Sequence, residues 1–344
     1  MADVAARAGV SLSTVSLTFS GGGPITPGTK KRVEKAAAEL GYSGPSPVAK
    51  SLRSGRSHIV GLVLPEQLSQ SFRDPFALKV LDGAITSLGD LGLGILLIPA
   101  PMDAETEHPL LETSPMDAAI VMRVRDHDDP SLKILRRRGI PSVIMEGPAP
   151  KGWGVVTIDD EKATTDLIRH LIKLGHTRIG TVTLSFDVPR ETRIVDPSEI
   201  SEVVWTPPRN RLKAFKRAGV EPCVIVECRT SLVEEGIAAG HLALSHPSKP
   251  TALVCQSDIL AAGVILAARE LDLQVPQDLS VTGFDGLDLA WLAPHELTTV
   301  IQDATLRGEM MATEVHALLD GETPTPVDSP LEIRLGTTTA KAPA

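Results

Sequence analysis

The sequence predicts a small all-α head with a helix-turn-helix, a short linker, and a body of two α/β lobes. Three observations lead there. The first 44 residues carry three short helical patterns. "SGPSP" at 43–47 is rich in chain breakers. From Ser57 onward, Val/Ile/Leu runs alternate with amphipathic stretches, the pattern of buried parallel strands joined by helices. At 344 residues the chain is long enough for two or three domains.

In the head, "DVAARAG" places Val4, Ala5 and Ala8 on one stripe and ends at Gly9. The second helix begins at the N-cap Ser11 and puts Val15, Thr18 and Phe19 on one face. After the loop "GGGPITP", the third starts with Thr26 as cap and Pro27 in its first turn. Val33, Ala36, Ala37 and Leu40 form its expected core stripe, and Gly41 stops it. A short basic stretch, "VAKSLRSGR", follows the linker as a further candidate helix.

The body contains about eight strand-like runs, among them "HIVGLVLP", "AAIVMRV", "TRIGTVTL" and "LSVTGFD". Helix-like stretches at 76–89, 131–138, 160–174, 207–218, 231–245 and 258–271 separate most of them. Eight strands with this spacing suit two sheets better than one, and a break near "KGWGVVTIDDEK" (151–162) divides them. Two such lobes place a ligand cleft between them, at the strand carboxyl ends.

Charge separates the parts again. Residues 1–57 hold eight Lys/Arg against three acids, a net +5, which leaves −14 of the overall −9 on the rest. A basic head on an acidic body points to an anionic partner for the head alone. No run of about 18 apolar residues and no signal-like start is seen, so the expected location is the cytoplasm, away from membranes. Cys223, Cys228 and Cys255 lack metal-site spacing, and no metal or cofactor is expected. His176 in "LGHTRIG" has no nucleophile, metal pair or phosphate loop beside it, and reads as a structural turn residue rather than part of an enzyme.

If Val15, Thr18 and Phe19 face the core of the head, then Leu12, Ser13, Ser16 and Leu17 face outward. In a free-standing bundle two leucines there gain little. In a DNA major groove they can contact thymine methyl groups while serines pair with base edges or phosphates. The plain alternative is a three-helix bundle whose leucines meet another part of the protein.

"DVAARAGVSLSTVS…ITPGTKKRVEKAAAELGY…VAKSLRSGRS" closely resembles the N-terminal signature of the lactose-repressor/galactose-repressor (LacI/GalR) family of transcription factors. The similarity continues through "LIRHLIKLGHTRIG", "PRNRLKAFKRAG", "DLSVTGFDG" and "ELTTVIQD", nearly the whole chain. The resemblance implies a helix-turn-helix head (1–44), a hinge helix (45–56) and a two-lobed periplasmic-binding-protein-like α/β body (57–344) for effector binding and dimerisation. It implies that Leu12, Ser13 and Leu17 read base edges and that Thr14 and Ser16 hold phosphates. By the same resemblance Leu52 is the hinge leucine that wedges into the minor groove, with Ala49 as the small residue beside it. An internal contact between head and body is the competing role for Leu52. Family members most often carry arginine where Leu17 stands. Leucine cannot make that bidentate contact to guanine, so an altered operator is expected.

For the cleft, the resemblance assigns Arg211 to gripping ligand hydroxyls or a carboxylate. It places Asp285, after a strand, as acceptor from adjacent hydroxyls, with Ser257, Gln302 and Glu146 completing the polar set. Asp258 is read as a helix-start cap. Phe72 and Phe76, in the long first cleft loop "PEQLSQSFRDPF", either stack on a ligand ring or pack on the core. The segment 185–206 is expected to be a flexible loop from which Trp205 can reach the cleft.

Together these readings give a ligand-responsive repressor, not an enzyme. It acts as a homodimer on a pseudo-palindromic DNA operator, with a sugar, polyol or nucleoside as effector. The alternative is a cytoplasmic or transport-type small-molecule binding protein without DNA function.

Overall fold

The structure, a computed structural model, describes residues 1–20, 23–44, 51, 54–64, 71–100, 108–187 and 191–343. Ala49 and Leu52 lie outside the described residues. The chain divides into two compact units, Met1–His58 and Ile59–Ala344.

The first unit holds α1 (Ala2–Ala8), α2 (Leu12–Ser20) and α3 (Pro27–Glu39). Its core is Val4, Val15 and Val33 with Ala5, Ala36 and Ala37. Burying each valine contributes roughly 1.5–3 kcal/mol, a small total for so short a unit. Met1 gives α1 no side-chain cap, whereas Thr26 accepts from the Thr29 amide at 3.3 Å to start α3. Leu40 is 48% exposed and does not join the core stripe expected for it. The helix stops one residue earlier, Gly41 turns at φ 63°, and the Tyr42 amide donates back to Ala37 O at 2.9 Å. That turn carries Tyr42 onto Phe19, edge to face with ring centroids 5.5 Å apart, so tyrosine covers the place expected for leucine.

The second unit has two sheets. The first contains β1 (Ile59–Leu64), β2 (Gly94–Pro99), β3 (Ala118–Val121), β4 (Ser142–Ile144), β5 (Gly154–Thr157) and β12 (Val327–Asp328). Its order is β12-β5-β4-β3-β1-β2, and all of its pairings are parallel. The second contains β6 (Ile179–Thr183), β7 (Arg193–Ile194), β8 (Ile225–Glu227), β9 (Ala252–Cys255), β10 (Ser280–Asp285), β11 (Thr298–Gln302) and β13 (Leu331–Arg334). Its order is β13-β11-β10-β9-β6-β8-β7, parallel except for the antiparallel edge strands β13 and β7. Around them lie α4 (Pro75–Asp90), α5 (Pro109–Thr113), α6 (Pro130–Arg137), α7 (Asp160–Lys173), α8 (Thr206–Ala218), α9 (Val233–Leu244), α10 (Asp258–Glu270) and α11 (Ala304–Leu319).

The break expected near 151–162 is the first of three crossings. The chain leaves the first lobe after β5, returns after β11 with α11, and leaves again between β12 and β13. Part of the expected break is itself a strand, β5. Helix α11 packs along α4, contributing Met311, Ala312 and Val315 to the first lobe's core beside Val80, Leu81 and Ala84. The contact depends on missing side chains: a Cβ on Gly308 would come within 2.2 Å of Val80 O.

Two further expectations change. The described part of segment 185–206 is not a loose loop. Asp196 and Glu199 form a capping box, and Phe186, Val195, Val203, Leu212 and Ile225 share a small core. At the start of α10, Ser257 is the cap, accepting from the Leu260 amide at 3.1 Å. Asp258 instead braces neighbouring strand ends, accepting from Thr299 Oγ1 and from the Leu287 amide at 2.7 Å. His176 is buried, with ring nitrogens 2.9 Å from Thr251 Oγ1 and 3.0 Å from Ser280 Oγ, a turn anchor as read.

Candidate functional sites: a cleft cavity and an exposed helix face

A cavity of about 120 Å³ lies between the two lobes of the second unit. It collects the carboxyl ends of strands from both sheets: Leu64 at the end of β1, Met122 and Arg123 after β3, Met145 and Glu146 after β4, Leu184 and Ser185 after β6, Asp285 from β10 and Gln302 from β11. Parallel sheets place these ends on one edge, which is why residues distant in sequence meet here. One wall is largely apolar, built from Leu64, Phe76, Leu81, Met122 and Met145 of the first lobe. The other is largely polar, built from Arg211, Gln256, Ser257, Asp285 and Gln302.

Phe76, Glu146, Arg211, Ser257, Asp285 and Gln302 thus line one cavity, whereas Phe72 is 46% exposed and does not line it. Trp205 is buried beside the cavity rather than in it. Arg211 is 3% exposed, and its guanidinium is held on three sides. Its Nε donates to Asp160 Oδ1 at 2.8 Å, Nη1 donates to Gln256 O, and the plane lies 3.6 Å over the Phe284 ring centroid. Burial pushes the Asp160 carboxyl up, and Arg211 pulls it back. Ion pair and ring fix the fork in place, so its rotamer freedom is already spent within the fold.

Asp285 belongs to a second buried chain of contacts. Its Oδ1 accepts from Gln302 Nε2 at 2.7 Å and its Oδ2 from the Asp258 amide at 3.2 Å. Gln302 Oε1 in turn accepts from Arg307 Nη1 at 2.7 Å. Arginine can only donate, so Gln302 must turn its NH₂ toward Asp285. Burial, then the negative charges of Asp258 and Asp74, push Asp285 well above the usual carboxylate range. Asp258 is pushed up to about 6, chiefly by burial.

Sequence reasoning missed Arg307 and Asp160. Arg307 is fully buried on α11, and its signal was periodic: it shares a helix stripe with Met311 and Val315, where an arginine is out of place. Asp160 opens α7 beside the cap Asp159, which hid it among ordinary first-turn acids.

In the first unit, Leu12, Ser13, Thr14, Ser16 and Leu17 all fall on α2. Leu12 is 53% and Leu17 37% exposed, while Val15 between them is fully buried. Ser11 Oγ accepts from the Thr14 amide at 3.2 Å and contacts the Ser13 and Thr14 hydroxyls at 2.7 and 2.9 Å. These bonds set the start of the helix and the positions of the hydroxyls on it.

Among the described residues, no group of His, Cys, Asp and Glu could hold a metal ion, and no helix is long and apolar enough to cross a membrane. Cys228 and Cys255 are buried, and burial pushes both thiols up.

A three-helix head with an exposed apolar-and-hydroxyl face, followed by a two-lobed body with a cleft cavity, defines a two-part regulator: a helix-turn-helix joined to a small-molecule-binding domain. Comparison with known proteins agrees. Residues 1–44 match the model for bacterial regulatory proteins of the lacI family, and residues 168–339 match a periplasmic binding protein-like domain. The chain is 30% identical to the HTH-type transcriptional regulator IpsA of Corynebacterium glutamicum, over 94% of this chain and 92% of that one. It is 31% identical to the ribose operon repressor of Escherichia coli, over 90% of each. The crystal structure of the lac repressor dimer bound to operator and an anti-inducer has the same fold, with a TM-score of 0.79, 22% identity and 98% of both chains covered. The chain belongs to the LacI family of bacterial DNA-binding transcriptional regulators.

Proposed function

We propose that this regulator is a repressor that binds a pseudo-palindromic operator as a homodimer and releases or tightens it when a sugar, polyol or nucleoside occupies the cleft. The observation that carries the effector reading is the two-faced cavity. A ring laid on Phe76 and the methionines presents its hydroxyl edge to Arg211, Asp285, Ser257 and Gln302. Glu146, on a strand end of the first lobe, lets that edge touch both lobes, so occupancy favours one lobe arrangement through differential contacts. Relatives that include the ribose operon repressor support a repressor acting in this way.

On the DNA side, Leu12, Ser13 and Leu17 read base edges while Thr14 and Ser16 hold phosphates, with Leu52 and Ala49 at the centre of the site. Two heads on a two-fold axis read two half-sites in successive major grooves. Exposed Trp291 and Leu271, 55% and 39% accessible on the second lobe, suit an interface with a second copy.

Calorimetric titration with myo-inositol, D-ribose, D-glucose and adenosine tests the effector class. Saturable binding of at least one, lost in Arg211→Ala, supports it; binding only to an unrelated class such as an amino acid overturns it. Selection of operators from random duplexes tests the rest, with a two-fold symmetric site expected.

A further inference from the structure

Two residues of the second lobe reach across the mouth of the cleft to two residues of the first. Asp187 and Trp205 follow β6 and precede α8, and they are tied together: Trp205 Nε1 donates to Asp187 O at 3.1 Å. Ser185 Oγ donates to the same carbonyl at 2.6 Å. Trp205 is 3% exposed, and its amide donates to Phe186 O at 3.3 Å, which ties the unit to its own lobe.

Facing them are Arg123 and Arg125, beyond the carboxyl end of β3. Val124 between them is fully buried, and its amide donates to Glu146 O at 2.7 Å. Alternation along an extended chain therefore turns both arginines away from that core. Arg125 grips the Asp187 carboxylate with both Nη groups, Nη2 to Oδ2 at 3.0 Å. Its own amide donates to Asp129 Oδ2 at 3.0 Å, which fixes the backbone from which it reaches. The Arg123 guanidinium lies 5.2 Å from the Trp205 ring centroid, and its Nε is 3.7 Å from Glu146 Oε2. Arg123 and Glu146 both line the cavity.

We infer that Asp187 and Trp205 form an interlobe clasp that biases the two lobes toward this arrangement whether or not an effector is bound, and positions Arg123 on the cavity wall. The forked geometry and partial burial set this contact apart from Arg73–Glu234, another ion pair between the lobes, whose side chains are more than half exposed. Single exposed pairs of that kind contribute little, whereas a bidentate pair beside a stacked arginine gives a specific and less screened contact. Closure in this chain is thus partly intramolecular, and an effector selects among states that the clasp already biases. The inference bears on the effector cavity proposed above, yet its test contains no effector, so the two readings fail separately.

The test is an interlobe distance measured by double electron–electron resonance on the full chain. Spin labels are placed through Asp90→Cys in the first lobe and Glu221→Cys in the second, with Cys223→Ser removing the accessible native thiol. Labelled protein is diluted into excess unlabelled protein so that only intrachain pairs are read. The ligand-free parent should give one narrow distance distribution. Asp187→Arg and Arg125→Asp should each shift and broaden it, and the double reversal should return it toward the parent. Circular dichroism matching the parent shows that the variants fold. A parent that is already broad, or single reversals that leave its distribution unchanged, overturns the clasp.

Discussion

The head exposes leucines and the body buries charges, and the two inversions of the usual partition differ in what they cost. Leu12 and Leu17 on α2 forgo part of the roughly 1.5–3 kcal/mol that full burial of a leucine contributes, but they leave nothing unpaired. Arg211, Asp285 and Arg307 are 3%, 7% and 0% exposed, and each is stable only because specific partners face it. A surface that departs from the rule cheaply can be substituted without endangering the fold. A buried network cannot, because each member fixes the orientation of the others. The difference leaves the exposed face of α2 free to vary and keeps the buried polar wall of the cavity fixed.

The largest way to break this contrast is to remove one partner of a buried pair. Asp160→Ala should destabilise the second unit by about 3–5 kcal/mol, because it leaves Arg211 buried without its carboxylate. Denaturant unfolding checks it, and Asp160→Ala with Arg211→Ala should cost clearly less than the two singles added. If the singles simply add, the pair is not a unit.

Acidity gives the next effect. Asp258 has its folded pKa raised from 3.8 to about 6, so between these values the folded protein holds a proton that the unfolded chain has released. Stability therefore falls as pH rises through that window, by up to about 3 kcal/mol, and Asp285 acts with the same sign. Thermal unfolding at a series of pH values should show this slope, and Asp258→Asn should flatten it. A slope of opposite sign would mean that other groups dominate.

The head should respond on binding, not on folding. Leu52→Ala is expected to weaken operator affinity by about tenfold or more, near 1.4 kcal/mol, with effector binding unchanged. Fluorescence anisotropy on a selected operator reads this, and unaltered affinity removes the wedge role. The smallest effect belongs to Leu17→Arg: stability should stay within about 0.5 kcal/mol while base preference moves toward guanine at the contacted position. A binding-site selection that returns the parent's preference would take Leu17 out of the groove.

Much of the fold was legible in residues. Eight Val/Ile/Leu runs read as strands all appear in the sheets, since buried parallel strands need continuous apolar sequence. The edge strands β7, β12 and β13 were not legible, being two to four residues long and half exposed, and neither were β5, inside the expected break, and β11, whose threonines interrupt its apolar run. Nor was the return of α11 to the first lobe, because a helix's own stripe does not say which sheet it will cover. Local pattern overreached at Leu40, where a left-handed glycine turn put Tyr42 in its place. It also overreached in segment 185–206, whose mixed charges hid a capping box and a small core.

By itself the sequence determined the three head helices, eight of the strands, the basic head on an acidic body, the outward face of α2 and the family signature. Those properties are written in near neighbours, where helix and strand periods and cap residues act directly. Tertiary structure alone decided the three crossings between lobes, the partnership of Arg211 with Asp160, and the relay from Arg307 through Gln302 to Asp285. It alone also decided the meeting of Asp187 and Trp205 with Arg125 and Arg123. Each of these joins residues dozens to well over a hundred positions apart, or sets which way a buried amide turns. Such contacts are chosen by which groups must be paired once water is excluded, and no local pattern along the chain records that choice.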